Sequence, residues 1–210
     1  MANISNQSKQ RVPAAERRDA LIAAAIEEFA LGGLHGTPVD RIARRVGVAQ
    51  PYVFSLFATK RDLFIAAVER GFEMVSGLFT ESAAEFKRAN AGVAYERGDI
   101  LAALGDSYIE LLASNRPKLM MQLQAYAACD DEVIREHVSA AYERLGLHVR
   151  ELTGADEDEL NEFLSHGMWL NVQAAIGLAD LDTACDWIRR RRESEAAGAA
   201  GAAGAAGAAG

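Results

Sequence analysis

Between residues 37 and 62 the chain is punctuated closely enough to prescribe two very short helices held at a tight angle. Gly36-Thr37-Pro38-Val39-Asp40 reads as a helix start, with Thr37 as cap and Asp40 closing a capping box. Pro38 then takes the first helical position, where the amide has no intrahelical partner anyway. Gly47 ends this helix after about nine residues, and Val48-Ala49 bridges to Gln50-Pro51, which opens a third helix through Phe57. Thr59-Lys60-Arg61-Asp62 repeats the capping box and starts a longer helix. The apolar set Ile42, Ala43, Val46, Val48, Val53 and Phe57 fixes the angle of the short pair. Two helices of this length cannot bury their own apolar faces, so the helices before and after them must cover the pair. That is the layout of a helix-turn-helix, whose second helix enters the DNA major groove.

The flanks supply the cover. Residues 14–31 carry Ile22, Ile26 and Phe29 at i, i+4, i+7, widened by Leu21, Ala25 and Ala30, and Gly32-Gly33 stops the helix. After Thr59 the apolar positions are Leu63, Phe64, Ala67, Val68, Phe72, Val75, Leu78 and Phe79. Helical periodicity continues through residues 100–112, 119–128, 132–152, 160–176 and 181–192, and no strand pattern interrupts it. The expected fold is therefore all-α, with about nine helices. An N-terminal tail (1–12) precedes a helix-turn-helix domain (13–70). A further helical domain (71–195) follows, and the Ala-Ala-Gly units of residues 196–210 read as a disordered tail.

Composition narrows the function classes. Two cysteines, Cys129 and Cys185, form neither a disulfide framework nor a Cys-x-x-Cys pair, which suits a reducing cytoplasm. No uncharged apolar run approaches the ~18 residues of a membrane span, and the polar first residues contain no apolar signal region. The net charge of -8 conceals an asymmetry: through Arg70 there are ten Lys and Arg against seven Asp and Glu, leaving twelve against 23 beyond it. A basic end on an acidic body suggests that one end meets a polyanion.

The outer face of the third helix presents Gln50, Pro51, Tyr52 and Ser55. A glutamine can bridge the N6 and N7 edge of adenine, while a proline and a tyrosine ring can press on a thymine methyl. At the rim, Thr37, Arg44 and Lys60 suit phosphate contacts, with Arg41 and Arg45 also expected toward solvent. A plain helical hairpin with solvated arginines satisfies the same spacing.

Residues 42–63, from Ile42-Ala43-Arg44-Arg45-Val46-Gly47 through Gln50-Pro51-Tyr52-Val53-Phe54-Ser55-Leu56-Phe57 to Thr59-Lys60-Arg61-Asp62-Leu63, resemble the DNA-binding domain of the TetR (tetracycline-repressor) family. With the first helix, the resemblance covers residues 14–64, about a quarter of the chain. It implies a homodimeric, all-helical regulator, most often a repressor, released from a near-palindromic operator in double-stranded DNA when a small molecule enters the C-terminal body. By position it places Gln50, Pro51, Tyr52 and Ser55 on the base-reading helix, and Thr37 and Lys60 on phosphate. Two departures stand out: Ala49 replaces the usual serine or threonine, and Phe54 the usual tyrosine. Both cost a hydroxyl. They support a rival reading, a helical small-molecule-binding dimer whose DNA-binding half has lapsed.

In the body, Gln122-Leu123-Gln124-Ala125-Tyr126 and His166-Gly167-Met168-Trp169-Leu170-Asn171 are similar to stretches in some members. The resemblance implies a cavity among the fourth to eighth helices, with Phe72, Phe79, Tyr108, Met120, Met121, Gln124, Tyr126 and Trp169 as candidate lining; each also suits ordinary core packing. It further implies that the last two helices pair with their twins. Phe163, Gly167, Leu170, Asn171, Ala174 and Leu178 suit such a seam, with Trp187 as an anchor, although monomer core explains them too. Catalysis finds little support: His35, His137, His148 and His166 lack metal-ligand spacing, no phosphate loop follows a strand, and no cofactor is implied.

Overall fold

The computed structural model describes residues 13–178. Eight helices account for nearly all of that span: α1 (Ala14–Gly36), α2 (Val39–Val46), α3 (Gln50–Leu56), α4 (Lys60–Ala89), α5 (Arg97–Ser114), α6 (Arg116–Ala127), α7 (Glu132–Thr153) and α8 (Glu157–Ile176). No strand occurs among the described residues. The expected ninth helix at 181–192, Trp187 and both terminal tails lie outside them.

The helix-turn-helix forms where its punctuation falls. Gly47 adopts φ 71°, ψ 34°, and its amide closes α2 by bonding the Ala43 and Arg44 carbonyls. A side chain would resist that left-handed backbone, whereas glycine takes it freely. Behind α2 and α3, Ile42, Ala43, Val53 and Phe57 are buried, with α2 packed on α1 and α1 in turn on α4. The Phe29 and Phe64 rings meet edge to face at 5.0 Å, tying those two covering helices together. At the start of α4, the Thr59 hydroxyl accepts from the Asp62 amide, and the Asp62 carboxylate accepts from the Thr59 amide, as the capping box requires.

The same signal fails at α2. Thr37 does not cap it: Pro38 stands at the cap position and no side chain bonds the first turn. The Thr37 hydroxyl instead donates to the Glu28 carbonyl on α1, at 3.1 Å, and the residue is 2% exposed. A second difference concerns the end of α1. Rather than stopping at Leu31, the helix passes through a kink at Gly33 (φ 62°, ψ -172°) and makes one further turn to Gly36. A Cβ at Gly33 would lie 2.5 Å from the Gln124 Oε1 atom, so the kink also lets α6 pack directly on α1.

With 30 residues, α4 extends roughly 45 Å and serves both halves of the molecule. Leu63, Phe64, Ala67 and Val68 are buried toward α1, and Phe72, Phe79 and Ala83 toward the body. There α5 and α7 flank α4, while α8 packs on α5. Asp131 caps α7 by accepting from the Val133 and Ile134 amides, and an Asp156–Glu159 capping box starts α8. No helix among the described residues is long and apolar enough to cross a membrane.

Candidate nucleic-acid interface

The seven-residue helix α3 turns one side inward, on Val53, and exposes the other. Gln50, Pro51, Tyr52, Phe54 and Ser55 are all exposed, and Gln50, Pro51, Phe54 and Ser55 border one shallow, open hollow. The structure thus brings Gln50, Pro51 and Ser55 onto one surface, leaves Tyr52 exposed outside the hollow, and adds Phe54, 40% exposed, whose ring offers apolar area of the kind a thymine methyl contacts. The signal that could have found Phe54 is its spacing: it stands one helical turn beyond Gln50. Ala49 caps α3 with no side-chain bond, as its missing hydroxyl dictates. The Ser55 hydroxyl donates to the Tyr52 carbonyl at 2.7 Å and must turn outward before it can meet another group.

The rim residues fare differently. Arg44 is highly exposed and paired with Asp40 at 2.7 Å, one helical turn away, a pair weak enough to exchange for phosphate. Lys60, at the start of α4, donates to the His35 carbonyl at 3.3 Å, and partial burial lowers its ammonium below the usual lysine value. Thr37 cannot offer its side chain to a phosphate, because its hydroxyl is buried and spent on Glu28. Arg41 and Arg45 are not loose solvated cations either. Both reach back to the carboxylate of Glu28, each at 2.9 Å, and Arg45 also lies 3.8 Å from Glu27.

Glu28 is 6% exposed, and its side chain holds α2 to α1 through two arginines while its carbonyl holds the connecting loop. Its removal is expected to loosen the whole reading head. Glu28→Gln leaves one carbonyl oxygen for two guanidinium groups and sets an amide NH2 against the other. Bonds to charged groups contribute about 1.5–3 kcal/mol each, and urea unfolding should show a loss of about that size. Because the carboxylate is buried, the loss should persist at high salt; a variant as stable as the parent would contradict the clamp.

The body contains two clefts. One, enclosing only about 30 Å³, lies between α1, α4, α5, α6 and α7. The other, enclosing about 40 Å³, lies between α4, α5, α6, α7 and α8. Of the expected lining, Phe72 and Met121 border the first cleft, Phe79 the second, and Tyr108 both. The remaining four are placed elsewhere. Gln124 packs toward Gly33 on α1, Met120 fills core, Tyr126 accepts a bond from Gln122 Nε2 (2.8 Å) away from the lining, and Trp169 is 53% exposed. Helical turns carry residues four apart to one side, so Met120 and Gln124 share the side of α6 facing away from the clefts, and Met121, Gln122 and Ala125 the side facing them.

Sequence reasoning missed Gln122 and misplaced Asn171. The Tyr108 hydroxyl lies 2.8 Å from Asn171 Oδ1 and 3.0 Å from Gln122 Oε1, and its single proton can serve only one of them at a time. Burial pushes the Tyr108 hydroxyl up to about 12 and raises that of Tyr126, so both stay neutral at physiological pH. The polar chain divides the two clefts. Its sequence signal was Gln122 and Tyr126 four residues apart, on one side of α6.

The expected dimer seam on α8 also turns inward. Leu170 and Asn171 are 1% exposed, Phe163 meets the Phe79 ring at 5.7 Å, Gly167 backs onto Tyr108, and Ala174 packs on the core. The uncovered apolar side of α8 is the opposite one, with Trp169 at 53%, Val172 at 38% and Ile176 at 66% exposed; Leu178, just past the helix, is 53% exposed. The reason is that α8 is apolar on both sides, and periodicity alone cannot say which side meets its own protomer.

His137 bonds Glu69 and His148 bonds Thr80, and among the described residues no three His, Cys, Asp or Glu side chains converge as a metal site.

Comparison with known proteins bears on this geometry. Residues 21–67 match the model of the family described as bacterial regulatory proteins, tetR family. The HTH-type transcriptional activator FasR of Mycolicibacterium smegmatis is 38% identical over 74 residues, 35% of this chain and 34% of its own length, so the chain matches only about a third of that relative. Among solved structures, the fatty acid degradation regulator FadR of Bacillus halodurans superposes with a TM-score of 0.65 at 18% identity, covering 87% of this chain and 95% of that one. FadR of Bacillus subtilis, solved with stearoyl-CoA, gives 0.65 at 14% identity, covering 81% and 96%. At these identities the likeness shows a shared fold, which extends over both halves of the described chain.

Proposed function

From a chain whose residues 21–67 form a TetR-family DNA-binding domain, we propose a homodimeric, sequence-specific DNA-binding transcriptional regulator, a repressor that a small molecule releases from a near-palindromic operator. The observation that carries this reading is α3 itself: a short helix locked from behind by Val53 and Phe57, with Gln50, Pro51, Tyr52, Phe54 and Ser55 exposed in front. Residues 13–70 act as the reading head and 71–195 as the ligand-binding and dimerising body, with tails at 1–12 and 196–210. Arg44 and Lys60 take phosphates at the rim. The partners are double-stranded DNA, a small molecule and a second copy, and the place of work is the cytoplasm, where bacterial DNA lies.

Coupling between the halves has a path in the packing. One side of α6 lines the first cleft with Leu119, Met121, Gln122 and Ala125, while Gln124 on the other side seats against the Gly33 kink of α1. Ile26 of α1 borders the same cleft, and α4 continues from it into the reading head. A ligand that widens the cleft therefore displaces α1, α4 and α6 relative to one another, changing the spacing of two recognition helices that must sit ~34–36 Å apart to share successive major grooves. It can do so only by binding the released arrangement more tightly than the DNA-bound one. The stearoyl-CoA bound by FadR of Bacillus subtilis supports a ligand role for a body of this fold. FasR is named an activator; the same head and body serve either sign, because position relative to the promoter sets it.

Ala49 and Phe54 favour the second reading, a ligand-binding dimer with a lapsed head. Fluorescence anisotropy separates the two. On duplex DNA from upstream of its own gene the protein should bind tightly, saturate at a whole number of dimers, and lose affinity steeply with salt. On a scrambled duplex it should bind weakly. If neither that duplex nor any sequence recovered by random-sequence selection is preferred over scrambled DNA, the head has lapsed.

A further inference from the structure

The open hollow on α3 is bordered by Gln50, Pro51, Phe54 and Ser55, and none of these side chains is charged. Its one hydroxyl is already engaged, since Ser55 gives its proton to the Tyr52 carbonyl at 2.7 Å. What remains to face a partner is a single amide, that of Gln50, beside hydrocarbon from Pro51 and Phe54. Resting on the reading of residues 13–70 as a DNA-reading head, we propose that Phe54 and Pro51 seat the C5-methyl group of a thymine. This contact, made by Phe54 rather than by Tyr52, sets the pyrimidine preference of each half-site.

The chemistry of the major groove singles out that partner. Of the groups the four bases present there, the thymine methyl is the apolar one; the others are hydrogen-bond donors and acceptors. Cytosine in the same place would set its N4 amino group against a ring and a proline, where it loses water and gains no acceptor. A methyl group loses nothing on leaving water for such a surface. The seat therefore selects thymine both by attraction and by exclusion.

Register follows from the spacing. Phe54 stands four residues beyond Gln50, about 6 Å along α3 and on the same side. Successive bases along a strand lie about 3.4 Å apart. The thymine should therefore be no more than about two base pairs from the adenine that Gln50 holds. Tyr52 is two residues from each of them, more than half a turn away, and does not border the hollow.

Uracil tests the proposal, because replacing thymine with it removes the methyl and leaves every hydrogen bond of the pair. Random-sequence selection with the full chain supplies an operator, and competition titrations then scan it one thymine at a time. One thymine in each half-site should matter, beside the adenine to which Gln50→Ala becomes indifferent. A buried methyl is worth about fourfold in affinity, so uracil in both half-sites should weaken binding about fifteenfold. Phe54→Ala should bind the thymine and uracil operators equally. Tyr52→Ala should keep the full ratio between them, whatever it does to affinity as a whole. Phe54 is 40% exposed, so its loss should leave the melting temperature in place, and the wild-type scan needs no variant. Uracil tolerated at every position would overturn the proposal, and so would a methyl effect that Tyr52→Ala removes and Phe54→Ala retains. A wild-type chain that selects an operator yet ignores its methyl groups keeps the regulator reading and loses this one. A chain that selects no sequence at all loses both.

Discussion

Replacing Trp169 and Ile176 together by glutamate should convert the protein to a monomer at micromolar concentration and remove tight operator binding. In the single protomer both side chains are more than half exposed on the outer side of α8, so they add little to its own core. Large apolar residues left uncovered one and two turns apart mark a surface built to meet another. Across a two-fold axis each substitution occurs twice. Burial of such a side chain is worth about 1.5–3 kcal/mol, so four of them represent roughly 6–12 kcal/mol, before the cost of placing four carboxylates in the seam. Even the lower figure weakens a dimer by about four orders of magnitude. A monomer reads one half-site only, and its DNA affinity should fall with it. Sedimentation equilibrium measures the first effect and anisotropy the second. Leu170→Glu supplies the contrast: at 1% exposure it should unfold the protomer itself instead of separating a folded pair. A doubly substituted chain that stays dimeric would move the seam away from this side of α8.

That contrast also shows where reading the chain reached its limit. The helix-turn-helix was legible because its determinants are local: Gly47 takes the left-handed turn, the Thr59–Asp62 box starts α4, and the apolar positions of α2 and α3 recur at helical spacing. Thr37 carried the same local signal as Thr59, yet a distant partner won. The Glu28 carbonyl, nine residues back and buried, offers the hydroxyl a better place than the first turn of α2. Arg41 and Arg45 looked solvated for the same reason, since the carboxylate that holds them lies 13 and 17 positions away and no local pattern links them. On α8 the small residues Gly167 and Ala174 suggested close approach by a second copy, when the close neighbours are Tyr108 and the core of the same protomer. The clefts were the least legible feature. They are what α1, α4, α5, α6, α7 and α8 leave unfilled, and no local pattern in the chain marks that space.

At the DNA face, Gln50→Ala and Lys60→Ala should fail in different ways. The Gln50 side chain projects from the exposed side of α3, where its amide can give and accept a bond on one adenine edge. Losing such a bidentate contact costs about 1–3 kcal/mol of discrimination at that base pair, and a dimer loses it in both half-sites, so about 2–6 kcal/mol separates the variant from its parent on the operator alone. On scrambled DNA the two should bind alike. Lys60 stands at the start of α4, already tethered to the His35 carbonyl, where it has no base edge to read. Its substitution should weaken operator and scrambled DNA by the same factor and lower the slope of log K against log salt by about one for each protomer. Competition titrations at several salt concentrations measure both quantities in one series. If Gln50→Ala weakens all sequences equally, or Lys60→Ala changes sequence preference while the salt slope holds, then α3 does not carry the reading surface and the start of α4 does not carry the phosphate.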